Sequence, residues 1–231
     1  MIFDPVYMVI AFGAMAASWF VGAMLKRRFA QYSQLPINLT GREVAEKMLR
    51  ENGINDVKVI SVEGQLTDHY NPQTKTVNLS EVVYHEANVA AAAVAAHECG
   101  HAVQHAQAYS FLAMRSSMVP LLSISNNFTP WILMAGLLLL STGFGKLLLL
   151  IGIILFGATT LFTFITLPVE FDASRRALAW LKQGTVSGMT QEKNDAAFNA
   201  LKWAAMTYVV AALASLATLL YYIMIFLGRR D

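Results

Sequence analysis

The strongest constraint on this chain is where it carries no charge. No Asp, Glu, Lys or Arg occurs from Pro5 to Leu25 or from Trp203 to Gly228, and from Ser116 to Val169 the only one is Lys146. About 20 apolar residues in helix cross the hydrocarbon of a bilayer, because a helix satisfies its backbone polar groups internally. The first and last runs each predict one span. The middle run is long enough for two. Its break falls at Ser141-Thr142-Gly143-Phe144-Gly145-Lys146, which predicts a tight hairpin between helices at roughly 118–141 and 147–167. Pro120, Asn126, Asn127 and Pro130 interrupt the earlier helix, and the two amides are expected to face other helices or a wet cavity. Composition agrees. The chain is 56% hydrophobic and 14% charged, against about a quarter charged in a soluble domain, which argues against a simple cytosolic protein and excludes disorder. A net charge of +2 gives no reason to expect a nucleic-acid partner, and the single cysteine, Cys99, excludes an internal disulfide framework or a multi-cysteine zinc site.

The first apolar run has no basic residue before it and is followed by Lys26-Arg27-Arg28, the reverse of a cleaved secretory signal, so it reads as an anchor. Residues 26–115 hold nine Lys and Arg and residues 168–202 hold five, while Lys146, Arg229 and Arg230 make three for the opposite side. The excess places both polar regions in the cytoplasm and both termini outside.

Residues 26–115 carry 18 charges and have a soluble composition. Thr40-Gly41-Arg42-Glu43 is a capping box that opens a helix with an apolar stripe of Val44, Met48 and Leu49, closed at Asn52-Gly53. Val57, Val59, Ile60 and Val62 predict a strand up to Gly64. Leu66–Tyr70 and Thr76–Leu79, either side of Asn71-Pro72-Gln73, predict two short strands paired as a hairpin. Asn88 caps an alanine-rich helix expected to run to about Gln107 and to pack closely. Pro168, a favoured first-turn residue, predicts a helix start there that continues to Lys182, and Thr190 caps a further helix that runs into the last span.

Within the alanine-rich helix stands His97-Glu98-Cys99-Gly100-His101. Histidines at i and i+4 share a helix face, so both rings can reach one zinc ion, and the intervening glutamate is placed to take a proton from water at the metal. Zinc brings that water's pKa toward 7 and polarises a carbonyl, and three protein ligands leave the fourth position open. Glu98 is then the general base and later the proton donor to the leaving amine. The bland alternative is a pair of ordinary helical histidines. For the third ligand, His105 stands about 12 Å along the axis from His97 in a straight helix, too far for one ion, and reads as a structural or supporting residue. Glu170, in Pro168-Val169-Glu170-Phe171-Asp172, leaves the apolar run on the same side as the motif. Two other readings stay open. Glu170 and Asp172 can simply complement the positive end of a helix dipole, or Asp172 can be the ligand. Cys99 is expected to face away from the metal as a packed thiol.

The stretch Tyr70-Asn71-Pro72, Asn78-Leu79-Ser80, Val94 through Ala106 and Pro168-Val169-Glu170-Phe171-Asp172-Ala173-Ser174 resembles the neutral zinc metallopeptidases of bacterial membranes, the YugP type, over nearly the whole chain. More distantly the layout is similar to the HtpX-type and CAAX-prenyl endopeptidases. The resemblance implies a gluzincin-like site in which His97, His101 and Glu170 bind one zinc ion. It also implies that the strand around Thr76–Leu79 is a sheet edge that pairs with an extended substrate. The distant relatives often have an aspartate four residues beyond the ligand glutamate to bond a zinc histidine. Here that position is Ser174, which puts the partner of that histidine in question. His69, Tyr70, Tyr84 and Arg175 are possible oxyanion donors, and nothing in the sequence selects among them.

The expected fold is mainly α, with four transmembrane helices and a small α+β cytoplasmic, zincin-like domain containing a short β-sheet. The expected layout is an anchor at 1–25, a catalytic region with the H-E-x-x-H helix at 26–115, a membrane hairpin at 116–168, a cytoplasmic helical region with the third ligand at 169–202, and a last span at 203–231. The expected function is zinc-dependent endopeptidase activity in a bacterial cytoplasmic membrane, with the site on the cytoplasmic side. The expected partners are peptide or membrane-protein substrates and the lipid bilayer, without nucleic acid, and a regulatory membrane partner is left open. The rival is a non-catalytic scaffold or chaperone-like protein with a structural zinc. An ion transporter, which needs ionisable residues within the spans, is disfavoured because the polar amides there are only Asn126 and Asn127.

Overall fold

The computed structural model describes residues 4–184 and 186–228; Arg229 and Arg230, which enter the charge count above, lie outside them. In chain order the elements are α1 (Pro5–Tyr32), α2 (Gly41–Glu51), β1 (Lys58–Val62), β2 (His69–Asn71), β3 (Thr76–Ser80), α3 (Glu81–His85), α4 (Val89–Ala106), α5 (Ser110–Leu138), α6 (Gly143–Lys182) and α7 (Gln191–Phe226). The protein is thus mainly helical with one three-stranded sheet. Apart from the hairpin turn between α5 and α6 and the last two residues of the final run, the charge-free runs lie in helix. α1, α6 and α7 are long and apolar enough to cross a membrane, and α5 makes a fourth if its halves Ser110–Ser123 and Ser125–Leu138, bent by 56°, form one span. Pro120 and Pro130 flank the bend, each removing a backbone donor and crowding the preceding turn. Ser125 and Thr129 turn their hydroxyls back onto the carbonyls of Leu121 and Ser125, a habit that also bends helices.

The chain forms two compact units. One comprises Met1–Phe20, Met114–Leu167 and Thr207–Asp231. Its buried cluster is Leu133, Leu149, Ile153, Tyr221 and Ile225. The expected hairpin is tighter and earlier than the sequence suggests: α5 already ends at Leu138 and α6 begins at Gly143. Thr142 caps α6, its Oγ1 accepting the Gly145 N–H at 3.0 Å. A Cβ on Gly145 would stand 1.9 Å from the Leu139 oxygen, and one on Gly136 2.5 Å from the Leu149 nitrogen, so α5 and α6 meet backbone to backbone. Small residues at the contact are what permits this between apolar helices. Asn126 faces α6, where its Oδ1 accepts a bond from Thr159 Oγ1 at 2.9 Å, whereas Asn127 donates back to the Ser123 carbonyl.

The second unit comprises Val21–Ala113 and Pro168–Met206. Thr40 and Glu43 form the capping box at the start of α2. α4 starts on Asn88, whose Oδ1 accepts the Ala91 N–H at 2.9 Å, and ends at Gln107. Alanines 90–93, 95 and 96 are almost completely buried, which lets α2 lie close against α4. β2 and β3 pair antiparallel, with Tyr70 opposite Val77, and the Asn71 side chain accepts the N–H groups of Gln73 and Thr74 to close the turn. β1 pairs with β3 in parallel, Ile60 opposite Asn78, so the order is β1-β3-β2. This corrects one expectation. β3 is the central strand, with both of its edges already taken, and cannot receive a substrate strand. The sheet edges are β1 and β2.

A second expectation is also corrected. Pro168 does not start a helix, because α6 passes through it without a break. The missing N–H leaves the carbonyl one turn earlier without its usual partner, which membrane helices tolerate when hydroxyls and neighbours compensate. Glu170 and Asp172 therefore lie in a helix interior, and the helix-dipole reading of these two residues loses its basis.

Candidate metal centre

Two helices build the site. α4 presents His97 and His101 one turn apart, their rings edge to face with centroids 4.8 Å apart. α6 brings Glu170, whose Oε2 lies 3.3 Å from His97 Nε2 and 3.6 Å from His101 Nε2. Glu170 is 2% exposed, and its Oε2 is buried. The three residues offer ligand atoms that all lie within 4.8 Å of one another, the kind of cluster that can hold a metal ion. Atoms about 2.1 Å from a common ion at tetrahedral angles stand about 3.4 Å apart. The two nitrogen–oxygen distances match that spacing.

The close approach depends on Gly100. A Cβ there would fall 2.6 Å from the Ala173 oxygen and 3.0 Å from its Cα. The residue between the two histidines thus has to be hydrogen-sided for α6 to come near enough for Glu170 to reach. Ala173 and Ala177, both fully buried, continue the contact on the α6 side.

The far nitrogens of the rings are also engaged. Gln104 is completely buried. Its Nε2 donates to the Val169 carbonyl at 2.8 Å and to Asp172 Oδ2 at 3.0 Å. Both partners are acceptors, so chemistry settles which way the amide points. Its Oε1 therefore faces His101 Nδ1, at 3.0 Å, and that nitrogen carries the proton. In its neutral form the His101 ring then turns a lone pair at Nε2 toward the Glu170 carboxylate. Two groups with lone pairs face each other across a gap sized for a cation, so the donor set fits zinc. His97 Nδ1 bonds Ser174 Oγ at 3.1 Å. Ser174, four residues beyond Glu170, thus supplies the partner of this histidine that the sequence left in question. Orienting bonds of this kind fix ring angle and basicity in metal sites.

Asp172 is not in the cluster. It bonds Arg175 and Arg176 as well as Gln104, and anchors the amide that positions His101. His105 also stands apart, its Nδ1 2.8 Å from the Tyr70 hydroxyl on β2. Cys99 is fully buried and points to the Ala45 carbonyl, 3.6 Å from Sγ. Burial and the neighbouring Glu98 carboxylate push its thiol well above the ordinary range, which leaves it inert. Glu98 lies between the histidines and is 8% exposed. His101 is raised above the ordinary imidazole value. Burial opposes this, but Glu170, Glu98 and Gln104 together outweigh it. Glu170 is held well below the usual carboxylate range, because the two histidines overcome the upward push of its burial. Protons and a bound metal would therefore compete for the same three groups.

Sequence reasoning missed Gly100 and Gln104. Gln104 carries little signal in one sequence, whereas Gly100, which costs about 1 kcal/mol against alanine inside a helix, hints at a close approach without saying to what. Only the position of Gln104 three residues after His101 hints at a shared face.

A family model described as "Putative neutral zinc metallopeptidase" matches residues 7–227. The chain is 41% identical over 230 residues to "Putative membrane protease YugP" of Bacillus subtilis (strain 168), which covers 97% of this chain and 98% of that protein. No solved structure matches significantly.

Proposed function

The chain belongs to the family of putative neutral zinc metallopeptidases, and from that premise we propose that it is a membrane-embedded zinc endopeptidase. His97, His101 and Glu170 hold one zinc ion, and Glu98 is the general base. The observation that carries this reading is the convergence of Glu170 Oε2 on the two Nε2 atoms at 3.3 and 3.6 Å. Zinc, when bound, acidifies a water and polarises the scissile carbonyl. Glu98 would take a proton from water as the water oxygen bonds to the carbonyl carbon, and would return that proton to the amine as the C–N bond breaks. Gln104 and Ser174 hold the two rings in the orientation that keeps each Nε2 toward the ion. A structural zinc usually has four protein ligands; among the described residues three converge, which favours an open site over a scaffold's closed one.

The surrounding architecture follows the same reading. Residues 1–25, 116–168 and 203–231 cross the membrane in four spans, with α5 as one bent span. Residues 26–115 and 169–202 form a zincin-like cytoplasmic part, as the excess of basic residues there supports. The substrates are peptides or membrane proteins.

The test is Glu98→Gln in the full-length protein. It is expected to keep its zinc and to lose cleavage of a mixed peptide library by about 10²–10⁴-fold. His97→Ala, His101→Ala and Glu170→Ala are expected to lower zinc content instead. Equal cleavage by Glu98→Gln and the parent protein would show the mechanism to be wrong.

A further inference from the structure

Beside the metal centre lies an apolar groove of about 570 Å³ between the end of α6 and the start of α7, and Ser174, whose Oγ bonds His97, is part of its lining. Phe171 and Leu178 from α6 and Leu201, Ala205 and Met206 from α7 form much of its wall, which is almost entirely apolar. Phe171 and Phe198 are 44% and 52% exposed, more than such rings need in a closed core. Three cations, Arg175, Lys182 and Lys202, line the same groove, and among the described residues no acidic side chain does. Arg175 is tied to Asp172 yet has a 78% exposed side chain. Lys182 and Lys202 make no ion pair or side-chain hydrogen bond among the described residues.

We propose that this groove binds an acidic phospholipid, with an acyl chain along Phe171, Ala205 and Met206 and the phosphate beside Arg175 and Lys202. Two features select this occupant. Apart from the Ser174 hydroxyl and the heads of Arg175, Lys182 and Lys202, the wall is apolar and offers the backbone of an extended peptide little to bond, whereas an acyl chain makes no such demand. The cations also stand at the right level. Lys202 directly precedes the charge-free run that opens at Trp203, and Arg175 lies six residues past the run that closes at Val169, about 9 Å along the helix. That is about the thickness of a headgroup layer. Basic pockets between helices at this level are suited to acidic headgroups. Lys182 lies a further two turns out and contributes less, because the surface potential fades within a Debye length. The inference rests on the membrane reading and is independent of peptidase chemistry.

The experiment uses full-length protein in nanodiscs of equimolar phosphatidylglycerol and phosphatidylethanolamine, with retained lipid identified by native mass spectrometry. The parent protein is expected to retain phosphatidylglycerol preferentially. Lys202→Gln is expected to cut that preference about fivefold, and Lys182→Gln by less. Ala205→Phe, which fills the groove, is expected to remove bound lipid of both kinds. A photoreactive benzoylphenylalanine at position 198 is expected to give lipid adducts. Equal retention of the two lipids by the parent, or an unchanged preference in Lys202→Gln, would overturn the proposal. So would polypeptide adducts at position 198 in place of lipid, which would make the groove a peptide-docking surface. Failure of the protein to enter nanodiscs at all would overturn the membrane reading as well, which separates the two failures.

Discussion

The apolar unit and the unit with the candidate metal centre use the same packing device for different ends. In the first, Gly136 lets α5 touch the backbone of α6 at Leu149; in the second, Gly100 lets α4 touch α6 at Ala173. Gly136 meets Leu149, part of a buried cluster with Leu133 and Ile153, while Trp131 and Leu138 of the same unit point outward, 67% and 77% exposed. Around Gly100 stand two histidines, a buried glutamate and a buried glutamine. Close contact therefore serves helix association in one unit and ligand geometry in the other. A glycine's meaning lies in what its missing side chain allows to approach.

The sharpest way to break this comparison is a pair of matched substitutions. Gly100→Ala drives a methyl group to within 2.6 Å of the Ala173 oxygen. It is expected to displace α6 and remove most of the zinc, read by metal analysis of the purified protein. Gly136→Ala meets a similar clash, 2.5 Å from the Leu149 nitrogen, and is expected to destabilise the protein by about 1–3 kcal/mol while zinc stays bound. If Gly136→Ala strips zinc as thoroughly, the two contacts are not separable in function.

The next effect in size concerns the bonds behind the rings. Gln104→Leu removes the acceptor for His101 Nδ1 and is expected to weaken zinc binding by about 10–100-fold in a competition with a chelating dye. Ser174→Ala is expected to cost less, because a hydroxyl can serve the ring as donor or acceptor and does not select its tautomer. Ser174→Asp is expected to tighten binding relative to Ser174→Ala. An unchanged affinity in Gln104→Leu would mean that helix packing alone orients His101.

A smaller, signed effect is the titration of His101. Its raised value comes from Glu170, Glu98 and Gln104 acting against burial. In metal-free protein its imidazole NMR signal is expected to titrate above 6.5, and in Glu170→Gln to titrate lower, because burial keeps its effect while the largest opposing partner loses its charge. The raised value means that the protonated ring persists to higher pH, so zinc affinity falls as pH drops through it. A downward shift absent from Glu170→Gln would sever the link between the carboxylate and this ring. The smallest effect is expected far from the site. Thr40→Ala deletes the capping box of α2 and should lower stability by about 1 kcal/mol with no change in zinc content, as a thermal melt would show.

These contrasts also show which parts could be read in one dimension. The caps at Thr40, Asn88 and Thr190 and the turn at Asn71 were legible because each acts over three or four residues. The pairing order of the strands was not, because β1 reaches β3 across the intervening β2 and nothing local marks which strand ends in the middle. Pro168 misled for a related reason. Its usual place is a helix start, and only a continuous apolar helix running on from Leu167 makes an interior proline tolerable.

The sequence by itself determined which segments are apolar enough to cross a membrane and that two histidines and a glutamate share one helix, since both follow from periodicity and from the cost of charge in hydrocarbon. It left Glu170, Asp172 and the helix dipole as open alternatives until the family resemblance favoured Glu170. Only the tertiary structure decided that Glu170 turns toward the rings while Asp172 turns to Gln104 and two arginines. The physical reason is distance. The residues lie more than sixty positions apart along the chain, and their meeting depends on a helix contact that one missing Cβ at Gly100 permits.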